Sequence, residues 1–208
     1  MILAWEERWR AAWDLLGSPV PEAAALASIL AAYTSTDRFY HTLQHLGECL
    51  DLFDEARELA TRPGELAIAL WFHDAVYDTR RSDNEVRSAD WAELVLREAG
   101  GTTEAVSRVR DLILATRHAE TPAPGDAAVM VDIDLAILGA PEVRFEEYEA
   151  QIHQEYAWVP ELVFRPTRAR ILQGFLERER IYATAVFAAR FEARARINLL
   201  RALARLGV

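Results

Sequence analysis

Seven consecutive residues, Leu66-Ala67-Ile68-Ala69-Leu70-Trp71-Phe72, present no polar face, and they run directly into His73-Asp74. A helix that is apolar on every side has to lie among other helices, because none of its faces gains from contact with water. The segment 65–77 is therefore predicted to be the central helix of a bundle. Elsewhere the apolar residues recur at three and four, and Pro and Gly mark the breaks, so the chain reads as all-α. Trp5, Trp9 and Trp13 stand four apart on a first helix ending near Gly17-Ser18-Pro19, a stripe suited to core packing or subunit contact. Further helices are expected over 22–33, 42–60, 102–118, 142–156, 160–177 and 183–205. Another, running to Glu98, opens on Ser82-Asp83-Asn84-Glu85 as a capping box. Segment 127–139 is ambiguous: Val129, Val131, Ile133 and Leu135 alternate as a strand would, while its length favours a helix. Without an internal repeat or a long linker, the expectation is a single-domain helical bundle of eight or nine helices spanning 1–208.

Composition narrows the chemistry. All 23 basic residues are arginine, against 33 acidic residues and a net charge of −10. The absence of lysine removes Schiff-base chemistry, a P-loop lysine and a lysine general base. The acidic balance argues against a nucleic-acid polymer or an anionic membrane surface as partner. The single cysteine, Cys49, excludes an internal disulfide and a cysteine-rich zinc site. Glu6, Glu7 and Arg8 interrupt any signal-peptide core, and no apolar run reaches the roughly 18 residues of a membrane span. A cytoplasmic protein is expected.

The informative residues are ionisable groups in apolar segments. His73-Asp74 closes the all-apolar run, and Asp132 and Asp134 interrupt segment 127–139. Burying a carboxylate alone costs several kcal/mol, so such groups are paired or bind a cation. Neither segment contains an arginine, which makes a metal ion a candidate partner. His41 and His45, in Tyr40-His41-Thr42-Leu43-Gln44-His45, share a helix face if the helix begins early enough. Nitrogen and oxygen donors of this kind suit one divalent ion among Mn, Fe, Co, Ni, Zn and Mg.

Four ordered segments carry a family resemblance: 40–45; Trp71-Phe72-His73-Asp74-Ala75-Val76-Tyr77-Asp78; Ser82-Asp83-Asn84-Glu85 with Ser88-Ala89; and Asp132-Ile133-Asp134-Leu135-Ala136-Ile137-Leu138-Gly139. Their order of His, His-Asp and Asp resembles the HD-domain metal-dependent phosphohydrolases, and in particular a branch of predicted bacterial members. The resemblance implies an HD-type helical core over about 38–140, with the terminal helices packed on it. It implies His45, His73, Asp74 and Asp134 as ligands of one divalent ion, with Asp132 the alternative to Asp134, and Asp74 also orienting water. His41 becomes a substrate contact, or else a capping or surface histidine.

Two departures from the family stand out. No Gly-Lys follows the dipeptide, and only His118 lies between it and the last Asp, so a single ion is the expectation. His118 is then a general acid or phosphate contact, or an ordinary histidine at a helix C-terminus. Glu85 is a candidate general base, although a capping box would explain its identity as well; Asp78 and Asp83 share that ambiguity. Arg80, Arg81, Arg168 and Arg170 are candidate phosphate clamps or solvated charges. Arg190, Arg194, Arg196, Arg201 and Arg205 read as the wet side of the last helix. Cys49, one turn beyond His45, lacks a third orienting group for a Cys–His nucleophile and reads as core.

The implied activity is hydrolysis of a nucleotide or another small phosphorylated metabolite through metal-activated water. A non-catalytic metal- or nucleotide-binding protein retaining the HD core is the alternative, and a homo-oligomer is compatible with either. A purely structural helical module would instead require the buried acids to find partners elsewhere in the chain.

Overall fold

The computed structural model describes residues 2–118 and 122–207. Among them every regular element is helical: ten α-helices and two short 3-10 turns, more than the eight or nine expected. The chain divides into two compact units, Met1–Met130 and Val131–Val208.

The first unit contains α1 (Ile2–Leu16), α2 (Ala23–Tyr33), α3 (Leu43–Ala56), α4 (Pro63–Phe72), α5 (Asn84–Glu98) and α6 (Thr103–Ala115), and it receives the start of α7 (Asp126–Asp134). Helix α4 is central, with Gly64 through Phe72 all buried. The tryptophan stripe of α1 packs on it edge to face: the ring centroids of Trp9 and Trp5 lie 5.1 and 5.8 Å from that of Trp71. Such aromatic contacts add about 0.5–1.5 kcal/mol each beyond the area they bury. Gly64 allows this approach, because a Cβ there would lie 2.4 Å from the backbone nitrogen of Leu16. Buried Glu65 is answered from α6 by a two-pronged Arg108 at 2.7 Å on each oxygen. Ahead of α4, the Asp126 carboxylate accepts the N–H groups of Thr61 and Arg62 at 2.6 and 2.9 Å.

Helix α4 stops at Phe72, five residues short of the expected Tyr77, and the chain turns at His73-Asp74. The loop that follows is fastened to α5 by two reciprocal pairs. Val76 donates its N–H to Ser88 Oγ at 3.0 Å, and the Ser88 hydroxyl donates back to the Val76 carbonyl at 3.3 Å. Asp78 and Asn84 repeat the pattern, with the Asp78 N–H on Asn84 Oδ1 at 3.1 Å and Asn84 Nδ2 on the Asp78 carbonyl at 3.0 Å. The expected Ser82–Glu85 capping box does not form. Helix α5 begins at Asn84 with Asp83 as its cap residue, which places Ser82 one position too early, and Asp83 binds Arg81 instead.

The second unit holds the end of α7, a 3-10 turn (Leu135–Gly139), α8 (Glu142–Glu155), α9 (Glu161–Leu176) and α10 (Ala185–Leu206). Segment 127–139 is thus α-helical only as far as Asp134. Beyond it the carbonyls take side-chain donors: Tyr182 Oη reaches Leu135 at 3.0 Å, and Asn198 Nδ2 reaches both Leu138 and Ala140 at 2.9 Å. Gly139 passes close to α10, where a Cβ would meet that of Phe191 at 2.7 Å. Four consecutive N–H groups precede α10. Those of Ile181 and Tyr182 go to Glu192, and those of Ala183 and Thr184 go to Asp132, the latter two at 2.7 Å each.

The arginines of α10 are more than a wet face. Arg196 donates to the carbonyls of Leu176, Arg178 and Glu179 at 3.1, 2.9 and 3.0 Å, which closes the C-terminal end of α9. Arg201 and Arg205 pair with Glu142 and Glu146 of α8. Among the described residues no helix is long and apolar enough to cross a membrane.

Candidate metal centre

Thr42 caps α3 by accepting the Gln44 N–H at 3.3 Å, and His45 follows in the first turn. His73 and Asp74 come from the turn that ends α4. His45 Nε2 lies 3.1 Å from His73 Nε2, and Asp74 Oδ2 lies 3.3 and 3.0 Å from these two nitrogens. Both imidazoles are buried.

The tautomer of His73 follows from its other nitrogen. Nδ1 is 2.8 Å from the Leu70 carbonyl, which can only accept, so Nδ1 carries the proton. In its neutral form His73 points an Nε2 lone pair at a second imidazole and a carboxylate; with a second proton on Nε2 it donates to Asp74. That arrangement needs positive charge at its centre, from protons or from a metal ion. Without a metal, burial raises the Asp74 carboxyl, but the charges of His73 and His41 and the contacts from His45 and His73 outweigh it. The net result holds Asp74 well below the usual carboxylate range. Tyr33 is pushed up to about 12 by burial beside this group, and its hydroxyl donates to the Trp71 carbonyl at 3.3 Å.

The donor spacing fits an ion. Ligand atoms about 2.0–2.2 Å from one metal stand about 3.0 Å apart at right angles and about 3.4 Å apart at the tetrahedral angle. The three observed edges of 3.0, 3.1 and 3.3 Å fall in that window. The side chains of His45 and His73 are 3% and 0% exposed and that of Asp74 17%, so the carboxylate is the least enclosed of the three. Cys49 adds a soft donor that the sequence placed only in the core. It is buried, its Sγ is 3.7 and 3.8 Å from the two His45 ring nitrogens, and one donor atom each from His45, Cys49 and His73 lie within 4.8 Å. This group could hold a metal ion.

The other candidates are distributed differently. His41 precedes the capping residue of α3 and so does not share a helix face with His45. Its ring instead stacks on Tyr77 at 3.8 Å and meets His45 edge-on at 5.9 Å. Arg80 is exposed in the loop after the dipeptide, where its N–H donates to Asp78 Oδ1 at 2.9 Å. The Arg81 guanidinium is engaged by both oxygens of Asp83 at 2.7 and 2.6 Å. Glu85 sits in the first turn of α5, with Arg117 Nε 3.9 Å from its carboxylate.

His118 follows the end of α6 at φ 54°, the one non-glycine with positive φ among the described residues, which suits a chain reversal at a helix end. In the second unit, Arg168 is buried rather than presented for phosphate. It donates to Tyr148 Oη at 2.8 Å and pairs with Glu149. Asp134 is the last residue of α7. Asp132, its alternative, is fully buried, and each of its oxygens accepts a backbone N–H at the head of α10. Burial raises its carboxyl against the bonds from Thr184 and Ala183.

One residue had no distinguishing signal in the sequence. Arg38 is buried, and Nη1 donates to the Asp74 carbonyl at 2.7 Å and the His41 carbonyl at 3.3 Å, while Nη2 donates to the Ala75 carbonyl at 2.9 Å. Its partners are main-chain oxygens, which every residue possesses and no sequence pattern displays.

No protein-family model, curated protein or solved structure matches this chain.

Proposed function

We propose that the protein is a metal-dependent phosphohydrolase acting on a nucleotide or another small phosphorylated metabolite. The observation that carries the reading is the triangle of His45 Nε2, His73 Nε2 and Asp74 Oδ2, with edges of 3.0–3.3 Å, in which Asp74 is the least enclosed side chain. Structural metal sites are closed, whereas catalytic ones keep a position for water or substrate. A divalent ion bound there would supply hydroxide near neutral pH and offset charge on phosphoryl oxygens. His45, His73 and Asp74 would hold it, and the sequence resemblance to HD-domain enzymes assigns Asp134 as the closing ligand.

The surrounding residues would handle the substrate. Asp74 would also orient water. His41, held flat against Tyr77, and Arg80, in the loop beyond the dipeptide, are the groups that would meet phosphate. Arg81 and Arg168 are already paired with Asp83 and Glu149, which weakens their case as clamps. Glu85 and His118 remain candidates for proton transfer, and the position of His118 at a helix end favours its structural role.

The test is a screen of phosphomonoesters and nucleotides with Mn, Co, Ni, Zn and Mg, run in parallel with Asp74→Ala. Metal-dependent release of phosphate by the wild type, lost in the variant, is the expected result. Activity retained by Asp74→Ala contradicts the reading. A wild type that binds the ion yet hydrolyses none of these substrates favours the non-catalytic alternative.

A further inference from the structure

The turn that delivers Asp74 keeps the helix-type bonds of the His73 N–H to Ala69 and the Ala75 N–H to Phe72, each at 2.9 Å, but its outgoing carbonyls find their donors elsewhere. Helix α4 ends at Phe72, and carbonyls beyond a helix end lose their intrahelical partners. Arg38 supplies the missing donors from a segment 36 residues earlier, on the carbonyls of Asp74 and Ala75. The same guanidinium reaches the carbonyl of His41, at the approach to α3, so one planar group ties the strand of chain before His45 to the turn carrying His73 and Asp74. Its own position is set by burial and by two rings, with its central carbon 5.3 Å from the centroid of Tyr33 and 5.8 Å from that of Tyr77.

We propose that Arg38 is the positioning residue of this centre, and that by holding the carbonyls of His41, Asp74 and Ala75 together it sets the separation between the Asp74 carboxylate and the two imidazoles. The proposal rests on the metal reading above. Geometry rather than charge is what the arginine contributes, because its hydrogen bonds go to neutral carbonyls and require a fork. Lysine keeps the charge but offers a single ammonium on a flexible stem, so it cannot span the three oxygens. Partners that orient metal ligands in this indirect way are worth about 10- to 100-fold in metal affinity.

Cobalt(II) is the probe, because its visible absorption reports ligand geometry separately from affinity. The wild type should bind cobalt with intense visible bands. Arg38→Lys should bind it about 10- to 100-fold more weakly, with altered bands, in the folded fraction. Arg38→Met should behave the same way, since removing the charge adds little once the fork is lost. Wild-type affinity and an unchanged spectrum in the folded Arg38→Lys protein overturn the proposal, even if that variant is less stable. A wild type that takes up no cobalt overturns the metal reading and this proposal together.

Should neither variant fold, the wild type decides. Saturating Zn should shift the guanidinium NMR signal of Arg38, whose carbonyl partner belongs to a ligand residue, and an unmoved signal overturns the proposal.

Discussion

At the head of α10 the carboxylate of Asp132 receives two backbone N–H groups, whereas at the end of α4 the carboxylate of Asp74 meets two imidazole nitrogens. Both acids follow apolar stretches, and both are removed from bulk water to a large extent. The difference lies in what faces them. An N–H can only donate, so Asp132 is satisfied by the chain itself and contributes to folding. His73 commits its Nδ1 proton to the Leu70 carbonyl, so the charge that balances Asp74 has to sit on the Nε2 side, as a proton or as a metal ion. Glu65 and Arg108 stand with Asp132, as a buried acid answered within the fold. Burial of an acid is therefore not by itself the mark of a metal site; what sets Asp74 apart is that two buried imidazole nitrogens face it.

The largest effect that could break this contrast is expected at Asp132. Asp132→Ala leaves two buried N–H groups without their acceptor and should cost about 3–5 kcal/mol in denaturant unfolding, equally with chelator and with metal. A loss that appears only when metal is present would make Asp132 a ligand and erase the distinction. Ser88→Ala comes next, removing the reciprocal bonds to Val76 that fasten the loop after Asp74. It should cost about 1–2 kcal/mol and lower metal affinity as the loop loosens; an unchanged affinity would show that the loop does not position the acid. Thr42→Ala is the smallest, about 1 kcal/mol from the lost cap of α3, visible as a lowered unfolding midpoint at unchanged denaturant slope.

The all-helical class was legible because period and breakers report it directly, and the central α4 because nothing else tolerates an apolar circumference. The boundary between the two compact units was not, since it falls inside α7, where no linker, Pro or Gly interrupts the apolar run. His45, His73 and Asp74 could be picked out by their type and order. The roles of Arg38, Asn84 and Ser88 could not, because their partners are carbonyls and N–H groups common to every residue. The capping box at Ser82–Glu85 misled for a related reason: the motif specifies spacing, but the bonds of Asn84 to Asp78 decide where α5 begins.

The central claim, that His45, His73 and Asp74 hold a divalent ion, is tested most directly by unfolding the wild type and Asp74→Ala in chelator and again in metal. With free metal at about a hundred times its dissociation constant, the wild type should gain about 2.7 kcal/mol, and Asp74→Ala should gain nothing at the same concentration. No gain in the wild type, or an equal gain in both proteins, would contradict it.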